Sequence, residues 1–141
     1  MNRKCMMLVS TVMFTTPLWA GDQPANPAPT PNLTTPDTPE ARRAYKINVL
    51  EQAIAEDKAA IANPGGGKLT EVQDKVKIAK KNLTINQEVL AKVKSGADME
   101  VYFCSMCGRE YMKSGTCPHC KQPVTSLFTP GSKRPPINPV M

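Results

Sequence analysis

The sequence predicts a mainly α fold, an antiparallel, coiled-coil-like helical hairpin followed by a small β module. Three observations carry this. Apolar residues recur at steps of three and four through two stretches of about 24 and 25 residues. A break at Asn63-Pro64-Gly65-Gly66-Gly67, which cannot continue a helix, separates them. Four cysteines then fall close together as two C-x2-C pairs. The chain has 141 residues, 18 Lys+Arg against 12 Asp+Glu, and only three Phe, three Tyr and one Trp. One modest domain or two small ones is the upper bound, and a large aromatic-lined catalytic core has no material.

Residues 1–20 read as a signal peptide. Arg3 and Lys4 precede a mostly apolar run from Cys5 to Trp19, and small Ala20 marks the expected cut. The run falls short of the roughly 20 apolar residues of a spanning helix, and Thr15, Thr16 and Pro17 interrupt it. No transmembrane segment is expected after cleavage, which places the protein in the periplasm or outside the cell. Losing Arg3 and Lys4 lowers the formal charge of +6 by two. That small, spread excess does not point to nucleic acid. Residues 21–38, rich in Pro and Thr, have little to bury and read as a disordered tether.

The hairpin is expected over residues 39–96. Thr38 suits the cap, Pro39 the first helical position and Glu40 the first turn. Ile47, Leu50, Ile54 and Ile61 form the first seam, flanked by Ala53 and Ala60. The second helix is expected to restart near Thr70, which with Gln73 has capping-box spacing. Its seam is Val72, Val76, Ala79, Leu83, Leu90 and Val93, with Asn86 at the one polar position, and Ser95-Gly96 ends it. Ile78, Ile85 and Val89 form a second, offset apolar line. A two-helix hairpin would leave that line wet, so a third element is implied: another protomer or the C-terminal module.

Residues 99–128 hold Cys104, Cys107, Cys117 and Cys120. Two C-x2-C knuckles present four soft thiolates to one tetrahedral centre, and amides inside each knuckle offset the sulfur charge. Val101-Tyr102-Phe103 and Glu110-Tyr111-Met112 read as strands around the first knuckle, and Val124, Leu127 and Phe128 as a third. A module this poor in apolar residues needs a metal to fold. Structural disulfides, a redox pair and free thiols are the competing uses of these cysteines. Zn(II) is the expected ion, with Fe or Cu(I) as alternatives. His119, Met106 and Met112 are further soft donors, more simply read as exposed or packing residues. Residues 129–141 are Pro-rich and basic and are expected to be disordered.

Tyr102-x-Cys104-x2-Cys107-Gly108 with Cys117-Pro118-x-Cys120 resembles a zinc-ribbon or rubredoxin-type knuckle pair, except that Lys121 stands where a second glycine usually follows. The stretch is also similar to the short heavy-metal-binding domain of bacterial metal-efflux adaptors, at Tyr102, Cys104, Met106, Gly115, Cys117, Pro118 and Cys120. That family has His where this chain has Cys107, and Gly-Met where it has Lys121-Gln122. Both resemblances cover about residues 101–124 and imply metal binding; the first implies a zinc-ribbon-like β module, and the departures from the second leave the four-thiolate site intact but not a specific copper or silver role.

No Ser–His–Asp or Cys–His set and no phosphate-binding glycine loop is present, so no enzyme is expected. The sequence therefore points to an exported, non-enzymatic protein with a structural four-cysteine metal site on a helical-hairpin scaffold that engages a protein partner or a second copy. The alternatives are capture or transfer of Zn or Cu, and thiol–disulfide chemistry.

Overall fold

The computed structural model describes residues 37–140; the expected signal segment, its cleavage point and tether residues 21–36 lie outside the described residues. Two helices, α1 (Pro39–Ala62) and α2 (Leu69–Lys94), precede three short strands, β1 (Tyr102–Cys104), β2 (Glu110–Tyr111) and β3 (Val124–Ser126). Contacts run Lys46 to Asp98, Glu51 to Lys94 and Asp57 to Asn86, one number rising as the other falls, so the helices are antiparallel. No helix among the described residues is long and apolar enough to cross a membrane.

Local chemistry sets the helix ends. Thr38 caps α1, its hydroxyl accepting from the Ala41 amide at 3.2 Å, with Pro39 in the first turn. The start of α2 differs from the sequence expectation. Lys68, not Thr70, is the N-cap, and no side chain caps it. Glu71 supplies the first turn's negative charge, its carboxylate folded back to 3.1 Å from where a Cβ on Gly67 would stand. At the other end Gly96 takes a φ of +100°, and the Gly96 and Ala97 amides donate to the Val93 and Lys92 carbonyls.

The sheet order is β2-β1-β3, antiparallel throughout. Leu127 and Phe128, expected in the third strand, lie just beyond it and turn into the core. Side chains alternate along β1, and its two cores lie on either side: Phe103 joins the hydrophobic core and Cys104 the sulfur cluster.

The hydrophobic core joins Leu50 and Ala53 of α1, Val89 and Val93 of α2, and Val101, Phe103, Leu127 and Phe128. This identifies a covering element for the offset line on α2. Val89 is fully buried and Ile85 packs on the same core, so the C-terminal module lies over this part of the line. The buried face of α2 consequently runs through Ala79, Asn82, Asn86, Val89 and Val93, between the two expected lines, while Val72, Val76, Leu83 and Leu90 are half-buried at its margins. α2 packs against α1 on one side and the β module on the other, which rotates its centre of burial.

The segment after Pro130 forms no helix or strand, yet it is not loose. Arg134 is almost wholly buried between α1 and β2, and the Asn138 amide donates to the Cys107 carbonyl at 3.1 Å. The basic, proline-rich composition that suggested disorder conceals a guanidinium with two buried carboxylates to meet.

Candidate metal centre

Two turns of the same design build the site. In the first knuckle the Gly108 amide donates to the Cys104 carbonyl at 2.9 Å, and the Cys104 amide to the Arg109 carbonyl at 3.0 Å. In the second, Lys121 donates to Cys117 at 2.9 Å and Cys117 to Gln122 at 2.8 Å. The residue closing each turn has positive φ, 69° at Gly108 and 58° at Lys121. Lys121 is the only non-glycine residue in that region among the described residues.

The four sulfurs of Cys104, Cys107, Cys117 and Cys120 lie within 4.8 Å of one another. The Cys107 and Cys117 sulfurs are 3.8 Å apart, and all four residues are free thiols. A tetrahedral Zn(II) with Zn–S of about 2.3 Å requires sulfur–sulfur edges of about 3.8 Å, so the cluster has the size of a metal site. Cys104, Cys107 and Cys117 are wholly buried, whereas Cys120 is half-buried.

The electrostatics also fit a cation. Burial raises the Cys104 thiol, although the Cys107 and Met106 amides donate to its sulfur. Burial likewise opposes ionisation of Cys117. There the Tyr111 hydroxyl, 3.1 Å from the sulfur, and the Cys120 and His119 amides prevail and bring it down to about 6. Desolvation and then the facing Cys107 and Cys104 sulfurs push Cys120 up to about 12. The Cys117 thiolate is thus favoured, while Cys104 and Cys120 resist joining it. A divalent ion held there would supply positive charge that favours the thiolate form of its ligands.

A buried polar frame holds the first knuckle. Asn82 of α2 donates through Nδ2 to the Gly108 carbonyl at 2.9 Å and accepts at Oδ1 from the Glu110 amide at 3.1 Å. Asn86, one turn on, donates to Asp57 Oδ2 at 3.0 Å and to Glu110 Oε2 at 2.7 Å. Arg134 reaches Glu110 Oε1 at 2.5 Å, Asp57 Oδ1 at 2.9 Å and Glu56 at 3.3 Å. The Asp57 contact is ionic, because that oxygen accepts no well-aligned hydrogen bond. Burial, offset in part by Arg134, raises both carboxyls, Glu110 to about 7. The tail then crosses the knuckle so closely that a Cβ on Gly108 would stand 2.8 Å from the Pro135 carbonyl oxygen.

The structure brings together all four cysteines that the sequence singled out. His119 is exposed, Met106 is 44% exposed, and Met112 packs on the hydrophobic core. Sequence reasoning missed Asn82, Asp57, Glu110, Arg134 and Tyr111. A signal for Asn82 did exist: Ala79, Asn82, Asn86, Val89 and Val93 keep a strict 3-4 spacing, which places two asparagines on an otherwise apolar stripe. No family model, no curated protein and no solved structure matches the chain.

Proposed function

We propose that this chain is an exported, non-enzymatic metal-binding protein whose four-cysteine centre holds Zn(II) and stiffens a small interaction module on a helical-hairpin scaffold. The convergence of four free thiols within 4.8 Å, three of them wholly buried, carries the reading. Cys104, Cys107, Cys117 and Cys120 would hold the ion, which supplies a cross-link between the two knuckles. Four protein ligands leave no open position for water or substrate, which favours a structural role. Export rests on the basic-then-apolar start of the sequence. The partner is a protein or a second copy, met through the hairpin.

Native mass spectrometry of the protein purified from its own compartment tests the reading. One zinc per chain at the fully reduced mass is the expected result. A metal-free mass four hydrogens lower would mean two disulfides and overturn the metal centre, and a red colour would make the ion iron. A second reading, capture or transfer of a soft ion, is favoured by the half-buried Cys120. It requires the ion to pass readily to a competing thiol or chelator, which a structural site resists.

A further inference from the structure

We infer that the ion is taken up and released through the second knuckle, with Cys120 the ligand that detaches first and Lys121 the hinge of the opening. This inference rests on the reading of the cluster as a metal centre.

The two knuckles share one hydrogen-bond pattern and differ in everything around it. The first is gripped from both sides. Asn82 holds the Gly108 carbonyl from the helix side, while the tail donates from Asn138 to the Cys107 carbonyl and runs against Gly108. Opening it would break these contacts and disturb the buried carboxylates that anchor Arg134. The second knuckle has no such grip. Among the described residues, no hydrogen bond joins residues 117–122 to either helix or to the tail; their partners lie within the β module. Pro118, His119, Lys121 and Gln122 are exposed, and Cys120 is the ligand that solvent reaches.

The backbone adds a bias in the same direction. Lys121 holds a left-handed conformation that glycine adopts freely and a Cβ penalises. At the equivalent place the first knuckle has a glycine, so only the second carries this strain. Opening lets Lys121 relax, breaks the hydrogen bond that its amide donates to the Cys117 carbonyl and swings Cys120 outward. The Cys120 sulfur leaves the cation, a donor atom of the incoming chelator takes its place, and no electron is transferred. Cys104, Cys107 and Cys117 keep their grip until that exchange is made.

The test uses the mature chain loaded with one Zn(II) and follows release to an excess of a chromophoric chelator, together with amide hydrogen exchange read by mass spectrometry. Lys121→Gly is expected to slow release about threefold, since strain is relieved only in the closed knuckle and glycine's extra freedom when open offsets part of the gain. In the zinc-loaded wild type the Lys121 and Cys117 amides should exchange well before those of Gly108 and Asn138. An unchanged release rate in the glycine variant overturns the inference. So does exchange at Gly108 or Asn138 as fast as at Lys121, because the first knuckle would then be opening too. A chain that takes up no zinc overturns the metal-centre reading itself, and this inference with it.

Discussion

Asn82 uses one carboxamide as a neighbouring strand would use its backbone, donating to the Gly108 carbonyl and accepting from the Glu110 amide. Its truncation leaves two buried backbone groups unpaired. Asn82→Ala should therefore cost about 2–4 kcal/mol, read from urea unfolding of the zinc-loaded protein. A cost below about 0.5 kcal/mol would mean that water replaces the carboxamide. Asn82 itself was missed, although the 3-4 spacing that carries Asn86 also places it on the apolar stripe. Its partners had no such signal, because no periodicity reports which loop carbonyl a folded chain brings to a helix. Glu110, also 1% exposed, makes a prediction in pH. Its carboxyl is raised from 4.5 to about 7, chiefly by burial, with nearby Asp57 adding to the effect and Arg134 and Asn86 opposing it. Between those values the folded chain keeps a proton that the unfolded chain has lost, so Glu110's contribution to stability is full below 4.5 and is lost as pH rises to about 7. Wild-type stability measured against Glu110→Gln should fall by up to roughly 3 kcal/mol across that window and then level off. Taking the difference cancels the thiols' own pH dependence. A flat difference would exclude Glu110 as the titrating group.

At the scale of elements, α1, the turn and the end of α2 were legible because caps, glycines and 3-4 spacing are local signals. The face of α2 was legible only in part. Its offset line, Ile78, Ile85 and Val89, announced a third layer, but sequence alone left two candidates for it, another protomer and the C-terminal module; the core shows the C-terminal module against Ile85 and Val89. The tail was misread for a physical reason. Composition is judged locally, and Arg134 finds Asp57 and Glu110 only once α1 and β2 are in place. Prolines on either side of the knuckle contact restrict the unfolded chain and lower the entropy lost on docking. Arg134→Met should cost about 3–5 kcal/mol, because it strands two buried carboxylates without their cation. Denaturant unfolding measures that loss, and limited proteolysis should find the tail cleaved in the variant and protected in the wild type. An intact, protected tail in the variant would show that the backbone contacts at Gly108 and Asn138 hold it unaided.

For the whole molecule, β1 is where two kinds of core meet. Phe103 enters the hydrophobic core between the helices and the sheet, and the adjacent Cys104 enters the sulfur cluster. The two clusters contribute differently. The first draws on Leu50, Val89, Val93, Val101, Leu127 and Phe128 and needs no ion. The second is three buried cysteines with Tyr111, Cys120 and Val124 around them, too little apolar surface to order some twenty residues of turn. Chelation under reducing conditions should therefore act unequally. The knuckles lose their cross-link and their amides their protection, starting at Lys121. The hairpin loses only the support that reaches it through Phe103, Leu127, Phe128 and the Asn82 clamp. The midpoint of thermal unfolding followed at the helical circular-dichroism band should drop by at least about 15 °C, since each kcal/mol is worth roughly 4–8 °C in a domain of this size. The helical signal well below that midpoint should stay largely intact. An unchanged midpoint would show that the sulfur cluster holds itself together without an ion. Loss of all helical signal would show instead that the hairpin has no stability of its own and that the metal supports the entire fold.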